Sequence, residues 1–363
     1  MNSPRYIIPL FLLVLLPTTV SANSGSALMI ATFFHMFIGN ALIGILEGLL
    51  LSWIFKCSKW KSMGILILAN YASAWAGAIL ITGYLTTSPD FTIENIRIWF
   101  FVFIAAAFLL TLLIEFSFFR YVLRKNKLSF RKMMSATILI NSISYLFLIG
   151  WYWAASGTFS LIRLDVVTHE DLTPPDPYEL YYLSPKGDQL IRMDLSSFKS
   201  EQVTPELEFK ASDPGDCLVV RENRISGFDL LLATYPYNPE ERNEPILLTS
   251  FTDRFEHNRV KPGEFTYHER GTLHETSDWE FKTSSRTGQG LRGISKKTGK
   301  RMYLPLITPI TTWDTSNATH LAGDYVVFQL GDDQICILHP ESNRIALIAR
   351  GKGPVVVRPK TSK

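Results

Sequence analysis

Hydrophobic positions along this chain follow two patterns, and the change comes near residue 155. From Leu28 to Phe55 a nearly unbroken apolar run of 28 residues carries His35, Asn40 and Glu47. About 18 such residues suffice for a membrane-spanning helix. Further runs at Met63–Leu85, Ile98–Phe119 and Met133–Ala155 are each long enough to cross a bilayer with some tilt. Ahead of them, Met1 to Ala22 has the plan of a secretory signal peptide: Arg5, an apolar core from Ile7 to Leu16, Pro17, and Val20-Ser21-Ala22 as cleavage site. That core covers about 15 Å of helix against a hydrocarbon layer of about 30 Å. Removal after Ala22 is therefore expected rather than a fifth span, and a four-helix transmembrane domain over residues 23–155.

After the fourth run the period shortens. Residues 156–180 read as a Pro-rich linker, because Thr173-Pro174-Pro175-Asp176-Pro177 suits neither a helix nor a central strand. Residues 181–357 consist of short β-type runs between turn residues. Tyr181–Leu183 and Gln189–Met193 flank a Ser-Pro-Lys-Gly-Asp turn; Tyr325–Leu330 and Gln334–Leu338 flank Gly331-Asp332-Asp333; Arg344–Ala349 follows. The pairs Asp188-Gln189 and Asp333-Gln334 recur 145 residues apart, about three periods of a ~45-residue propeller blade. Turn-rich segments near the intermediate positions are Tyr237–Glu244 and Arg286–Lys300. The expected fold class is membrane α plus all-β: a signal peptide, a four-transmembrane-helix bundle, then an exported β-rich domain. That domain is expected to have propeller-like repeats of about four blades, with Leu321–Val357 as the last and a β-sandwich as the alternative. Residues 358–363 form a tail.

Charge then orients the chain. Residues 1–155 contain 11 Lys and Arg against the acids Glu47, Asp90, Glu94 and Glu115, whereas residues 156–363 contain 25 basic and 29 acidic residues. Nine of the eleven bases sit in two short connections: Lys56, Lys59 and Lys61, then Arg120, Arg124, Lys125, Lys127, Arg131 and Lys132. The positive-inside rule makes these connections cytoplasmic and puts the mature N-terminus and everything after Ala155 outside. The expected location is the cell membrane, the inner membrane of a bacterium, with the C-terminal domain extracytoplasmic. Bases so placed are topology signals, and no nucleic-acid partner is implied. The partners expected are the lipid bilayer and, through the exported β domain, another protein or a second copy.

Within the spans, Asn40, Gly44, Gly48 and Ser52 recur every fourth residue. The second span answers with Ala69, Ser73 and Gly77 in one row and Asn70, Ala74 and Ala78 in the next, a pattern that lets membrane helices approach closely. Glu47, Asn70 and Asn141 lie roughly 12–14 Å inside the basic ends of their helices, and Glu115 about 7–8 Å. The four are expected to form one intramembrane polar layer, and ionisable groups at such depth mark function by default. Two readings stay open: a hydrogen-bond clamp that fixes helix register, or a cation or proton site of two carboxylates and two amides. His35 and Asn40 are further intramembrane polar groups of the first span. Ile38–Leu49, with Gly44-Ile45-Leu46-Glu47-Gly48, is similar to an apolar Gly-x-x-Glu-Gly stretch in membrane subunits of cobalt and nickel uptake systems. The resemblance implies metal transport, although Asn23-Ser24-Gly25 lacks the N-terminal Met-His site of those subunits.

Outside the membrane, His257, His268 and His274 occur among acids, but Gly263 and Gly271 interrupt the stretch, and zinc needs three or four converging ligands. Gly288-Gln289-Gly290-Leu291-Arg292-Gly293 has the letters of a nucleotide loop without the helix that must follow it. Cys217 and Cys336 share an oxidising compartment, which permits a disulfide if their Cα atoms approach closely enough. No nucleophile elbow, paired metal-histidine helix or phosphate loop occurs, so no cofactor and no enzymatic activity are expected. The function expected is binding, sensing or complex assembly by the exported domain. The alternative is a component of a membrane transport system for a cation, metal or proton.

Overall fold

The computed structural model describes residues 35–85, 91–126, 128–155, 164–212, 216–223, 227–233, 244–252, 277–284, 290–304, 306–307, 312–313 and 315–359. The expected signal peptide and the turn-rich residues 237–243 lie outside these. The described chain divides into a helical unit, within 35–85 and 101–155, and a β-rich unit, within 91–100 and 164–359.

In the helical unit a π-helical turn at His35–Gly39 leads into α1 (Asn40–Phe55), followed by α2 (Lys59–Leu85), α3 (Ile96–Leu123) and α4 (Phe130–Ala155). All four are long and apolar enough to cross a membrane. Lys56 ends α1 in a left-handed conformation (φ 55°), and only residues 56–58 separate it from α2, so the two helices pair as an antiparallel hairpin. Asn126 donates its Nδ2 hydrogen to the carbonyl of Phe55 at 2.7 Å, satisfying a last-turn acceptor of α1. The small-residue stripe of α1 is a contact surface. A Cβ on Gly44 would lie 2.5 Å from Ile67 Cα, and one on Gly48 would lie 2.6 Å from Met63 Cα, so glycine is what lets the two backbones meet. Gly77, in the answering stripe of α2, has open space instead.

This unit is apolar outside and polar inside. Trp53, Leu113 and Ile79 are 79%, 75% and 70% exposed, while Glu47, Glu115, Asn70 and Asn141 are buried. Water would penalise that arrangement and hydrocarbon favours it.

The β-rich unit is a series of antiparallel meanders in chain order. The first contains β2 (Glu179–Leu183), β3 (Leu190–Asp194) and β4 (Lys199–Val203). Next come β5 (Cys217–Glu222), β6 (Phe228–Ala233) and β7 (Ile246–Thr252), and then β8 (Trp279–Ser284), β9 (Gly290–Ser295) and β10 (Arg301–Leu304). A two-stranded pair, β11 (Leu306–Ile307) with β12 (Thr312–Trp313), precedes the last meander. That meander holds β13 (Thr315–His320), β14 (Val326–Leu330), β15 (Gln334–His339) and β16 (Arg344–Arg350). β1 (Asp165–Val166) lies parallel to β16 at its edge, and β17 (Lys352–Val357) pairs with β2. Both expected hairpins form: Leu183 opposes Leu190, and Leu330 opposes Gln334. Neither a closed barrel nor a closed propeller is shown by the described residues.

Alternation along each central strand fills two cores. Val326, Phe328 and Leu330 pack with Trp279, Leu291 and Met302 of the third meander, whereas Val327, Ile335 and Ile337 pack with Leu180, Tyr182 and Met193 of the first. Tyr181 and Leu183, on the other face of β2, meet Leu218, Leu230 and Leu232 of the second meander. Strands buried on both faces read as continuous apolar runs.

Two features of the β-rich unit are not announced by any local pattern. The last repeat does not stay in one sheet: β14 to β16 remain together, but β17 crosses to β2. Glycines make the crossing sterically feasible, since a Cβ on Gly351 would lie 2.4 Å from the Leu183 carbonyl oxygen, and Gly353, at φ +58°, would place one 2.6 Å from Cys217 Cα. The described part of the expected linker is also structural. Leu164, Leu172 and Tyr178 are buried in the cores of the β-rich unit, and the Tyr178 hydroxyl accepts the amide hydrogen of Ala322 at 3.1 Å. Prolines exclude regular structure there but do not prevent side chains from packing.

One segment from the helical half of the sequence belongs to the β-rich unit. Phe91 packs against the core formed by the third and fourth meanders, Ile93 and Ile96 are fully buried in it, and the Ile93 amide donates to Gln334 Oε1 at 2.7 Å. The first turn of α3 is therefore fixed in the β-rich unit.

Candidate functional site: the polar layer of the helical bundle

Each of the four helices contributes to the buried polar layer. Glu47 lies on the face of α1 that also buries Gly44, Gly48 and Leu51, which turns its carboxyl toward α2. Asn70 of α2 donates Nδ2–H to Glu47 Oε2 at 2.7 Å and to the Leu66 carbonyl at 3.0 Å. One turn on, Ser73 donates its hydroxyl to Glu115 Oε1 of α3 at 2.8 Å, with the Asn70 carbonyl as a second acceptor at 3.1 Å. From α4, Ser144 faces Glu47 and Asn141 faces Glu115, and each of these two also bonds the carbonyl one turn back in its own helix. Glu115 is 0% exposed and its Oε2 has no hydrogen-bond partner among the described residues. It joins the layer rather than reaching for the interface.

Glu47, Asn70, Glu115 and Asn141 are thus assembled in one cluster, and Asn40 is buried nearby on α1. The side chain of His35 lies outside the described residues. Ser73, Thr137 and Ser144 are buried members that the sequence reading did not single out as site residues. Their signal was present: Ser73 is three residues beyond Asn70 and Ser144 three beyond Asn141, a spacing that puts each pair on one helix face.

Chemically the layer offers carboxyl, amide and hydroxyl oxygens. Two acids are buried together, and the hydrogen bonds to them come from neutral amides and hydroxyls. Two unpaired carboxylates in such a medium are prohibitively costly, so the arrangement requires a bound proton or cation. Oxygen donors suit a proton or a hard cation better than a soft transition metal. Among the described residues no group of three His, Cys, Asp or Glu is arranged to hold a metal ion.

The β-rich unit brings together Ser277, His320 and Asp324, a set the sequence reading missed because the three are remote in the chain. Ser277 Oγ lies 3.2 Å from His320 Nε2 and also bonds Asp324 Oδ1, which is itself 3.3 Å from the same Nε2. A hydrolytic triad needs Ser and Asp on opposite ring nitrogens. Here both meet one nitrogen, and Ser277 and Asp324 also accept the Trp279 amide hydrogen, so the cluster ties the start of β8 to the turn at Ala322–Asp324. Gly290 and Gly293 lie within strand β9, which excludes a phosphate loop there. Cys217 and Cys336 are buried in separate apolar clusters, and no disulfide joins them among the described residues. The candidate metal histidines His257, His268 and His274 lie outside the described residues.

The chain matches no protein-family model, and no curated protein is similar to it, so functional assignment rests on this geometry.

Proposed function

We propose that this protein is a multi-pass membrane protein whose β-rich domain, displayed outside the cell membrane, serves binding, sensing or complex assembly. The observation that carries this reading is α3. Ile96, in its first turn, and Ile93, just before it, are buried in the core of the β-rich unit. A folded unit cannot be divided by a bilayer, so residues 91–100 and the chain beyond residue 164 share one side. Nine bases in the other two connections favour the cytoplasm for the opposite side. A removable signal peptide at residues 1–22 fits this orientation, and the inner membrane of a bacterium is the location it suits. The successive meanders and the pairing of β17 with β2 support a propeller-like domain of about four blades, with a stacked sandwich as the alternative.

The test is the full-length protein purified in mild detergent and analysed for co-purifying proteins and for self-association. A stoichiometric protein partner or a discrete oligomer that survives dilution supports the reading; a monodisperse monomer with no partner under cross-linking in cells overturns it.

A second reading, cation or proton handling by the bundle, is supported by the paired carboxyls and the orphaned Oε2 of Glu115. Glu47→Gln separates it from a structural clamp. As a clamp, Gln keeps both a donor and an acceptor and leaves stability unchanged, whereas Glu47→Leu strands Asn70 and costs about 1–2 kcal/mol. As an ion or proton site, Glu47→Gln gives a stable protein that fails to support its cellular role. A stable Glu47→Gln protein with full function refutes the ion reading.

A further inference from the structure

A groove of about 290 Å³ lies between the end of α1 and the start of α4, lined by Phe55, Arg131, Lys132, Ser135, Ala136 and Leu139. Its lining is graded. Arg131, Ser135 and Leu139 follow one another at four-residue spacing along α4, so the wall passes from cation to hydroxyl to hydrocarbon over about 12 Å. Phe55 and Ala136 add to the apolar part, and Lys132 adds a second charge at the charged end.

The charges at this end have no acidic neighbour in their own connections. The two connections at this end, residues 56–62 and 120–132, hold nine Lys and Arg and no Asp or Glu. Lys61 and Arg124 are engaged by the ring of Tyr121, at 4.9 and 4.4 Å from its centroid. Arg131 and Lys132 are exposed and have no hydrogen bond or ion pair among the described residues.

We propose that this groove binds one anionic phospholipid, with its phosphate on Arg131 and Lys132 and an acyl chain laid along Phe55, Ala136 and Leu139. A guanidinium fork matches phosphate oxygens in pairs, and the ammonium adds a point charge. The Ser135 hydroxyl stands where the glycerol esters of such a lipid offer acceptors. A free anion would use the cations and leave the hydrocarbon half of the groove unfilled; a zwitterionic lipid would fill the hydrocarbon half and bring its own positive charge against Arg131. Basic pockets between membrane helices are a recurrent setting for anionic headgroups.

The test uses full-length protein freed of lipid in a neutral detergent. Binding is read by native mass spectrometry and by the thermal unfolding midpoint with dioleoylphosphatidylglycerol, dioleoylphosphatidylcholine or inorganic phosphate. Only the phosphatidylglycerol is expected to remain bound at one per chain and to raise the midpoint. Arg131→Gln with Lys132→Gln should weaken that binding about thirtyfold, at about fivefold per cation. Lys59→Gln with Lys125→Gln removes the same charge elsewhere on this rim and should change it less than threefold. Equal losses in the two double variants would show a diffuse field with no site, and equal binding of phosphatidylcholine would show an apolar groove only. Inorganic phosphate acting as well as the lipid would show an anion site that takes no lipid. Each of these three results overturns the proposal.

Discussion

Replacing Gly44 by alanine adds one methyl group where α1 meets α2. That Cβ would lie 2.5 Å from Ile67 Cα, 2.6 Å from Ile67 N and 2.8 Å from Leu66 C. Carbon–carbon contacts are ordinarily about 3.5–4.0 Å, so the helices must part by about 1 Å. All three clashing atoms are backbone, and no rotamer change relieves them. Overpacking of this kind costs about 1–3 kcal/mol. Three residues on, the 2.7 Å bond from Asn70 to Glu47 spans the same interface, and losing it adds about 0.6–2 kcal/mol. Alanine returns about 0.5–1 kcal/mol through its better helix propensity, which leaves a net loss of about 1–4 kcal/mol. Gly64→Ala, on α2 with nothing within 4 Å of its added methyl, is the internal control and should be neutral or slightly stabilising. Unfolding of the purified full-length protein, by heat or by titration with a denaturing detergent, measures both. If Gly44→Ala is as stable as the parent, or if the two variants shift together, the close approach of α1 and α2 is wrong.

Three further outcomes are expected. Ile93→Ala, which empties a fully buried position where the α2–α3 connection enters the β-rich unit, should cost about 2–5 kcal/mol. Limited proteolysis should then open that unit before the helices; unchanged protection would refute the docking of this segment. The thiols of Cys217 and Cys336 are both buried, and burial, reinforced by the charge of Glu94, pushes the Cys336 thiol far above its ordinary pKa. Neither should react with an aromatic disulfide reagent until the protein unfolds, and rapid native labelling of Cys336 would contradict its position in the core. At the β3–β4 turn, desolvation pulls the Asp194 carboxyl up, but hydrogen bonds from Ser196 and Ser197 outweigh it and hold its pKa below the ordinary value of 3.8. Its folded form therefore binds fewer protons than the unfolded chain. The stabilisation is complete above that value and is lost as pH falls through the lower folded one. The difference in melting temperature between parent and Asp194→Asn should accordingly be present at pH 7 and vanish in acid; a difference that grows in acid would reverse the sign.

How much was legible in the chain itself follows from the range of the forces involved. Hydrocarbon selects long apolar helices, so α1 to α4 could be read from local composition, and one loop-charge asymmetry suggested how they are threaded. Depth along a helix is simple arithmetic, which is why Glu47, Asn70, Glu115 and Asn141 could be grouped before any contact was known. Two hairpins were equally local, because a turn and its flanking alternation fix their own register. What the sequence left open were relations between segments far apart. Which oxygen accepts from Asn70 or Ser73, and that Glu115 turns inward rather than toward the interface, depends on how four helices are rotated against one another. The departure of β17 to pair with β2 follows from sheet-to-sheet packing around Gly351 and Gly353, and no local pattern announces it. The sequence places Ile93 and Ile96 in the loop before the third span, where an apolar residue looks alike before solvent and before a protein core. Only the fold, by placing them beside Gln334, Phe328 and Trp279, decided which of the two environments they occupy.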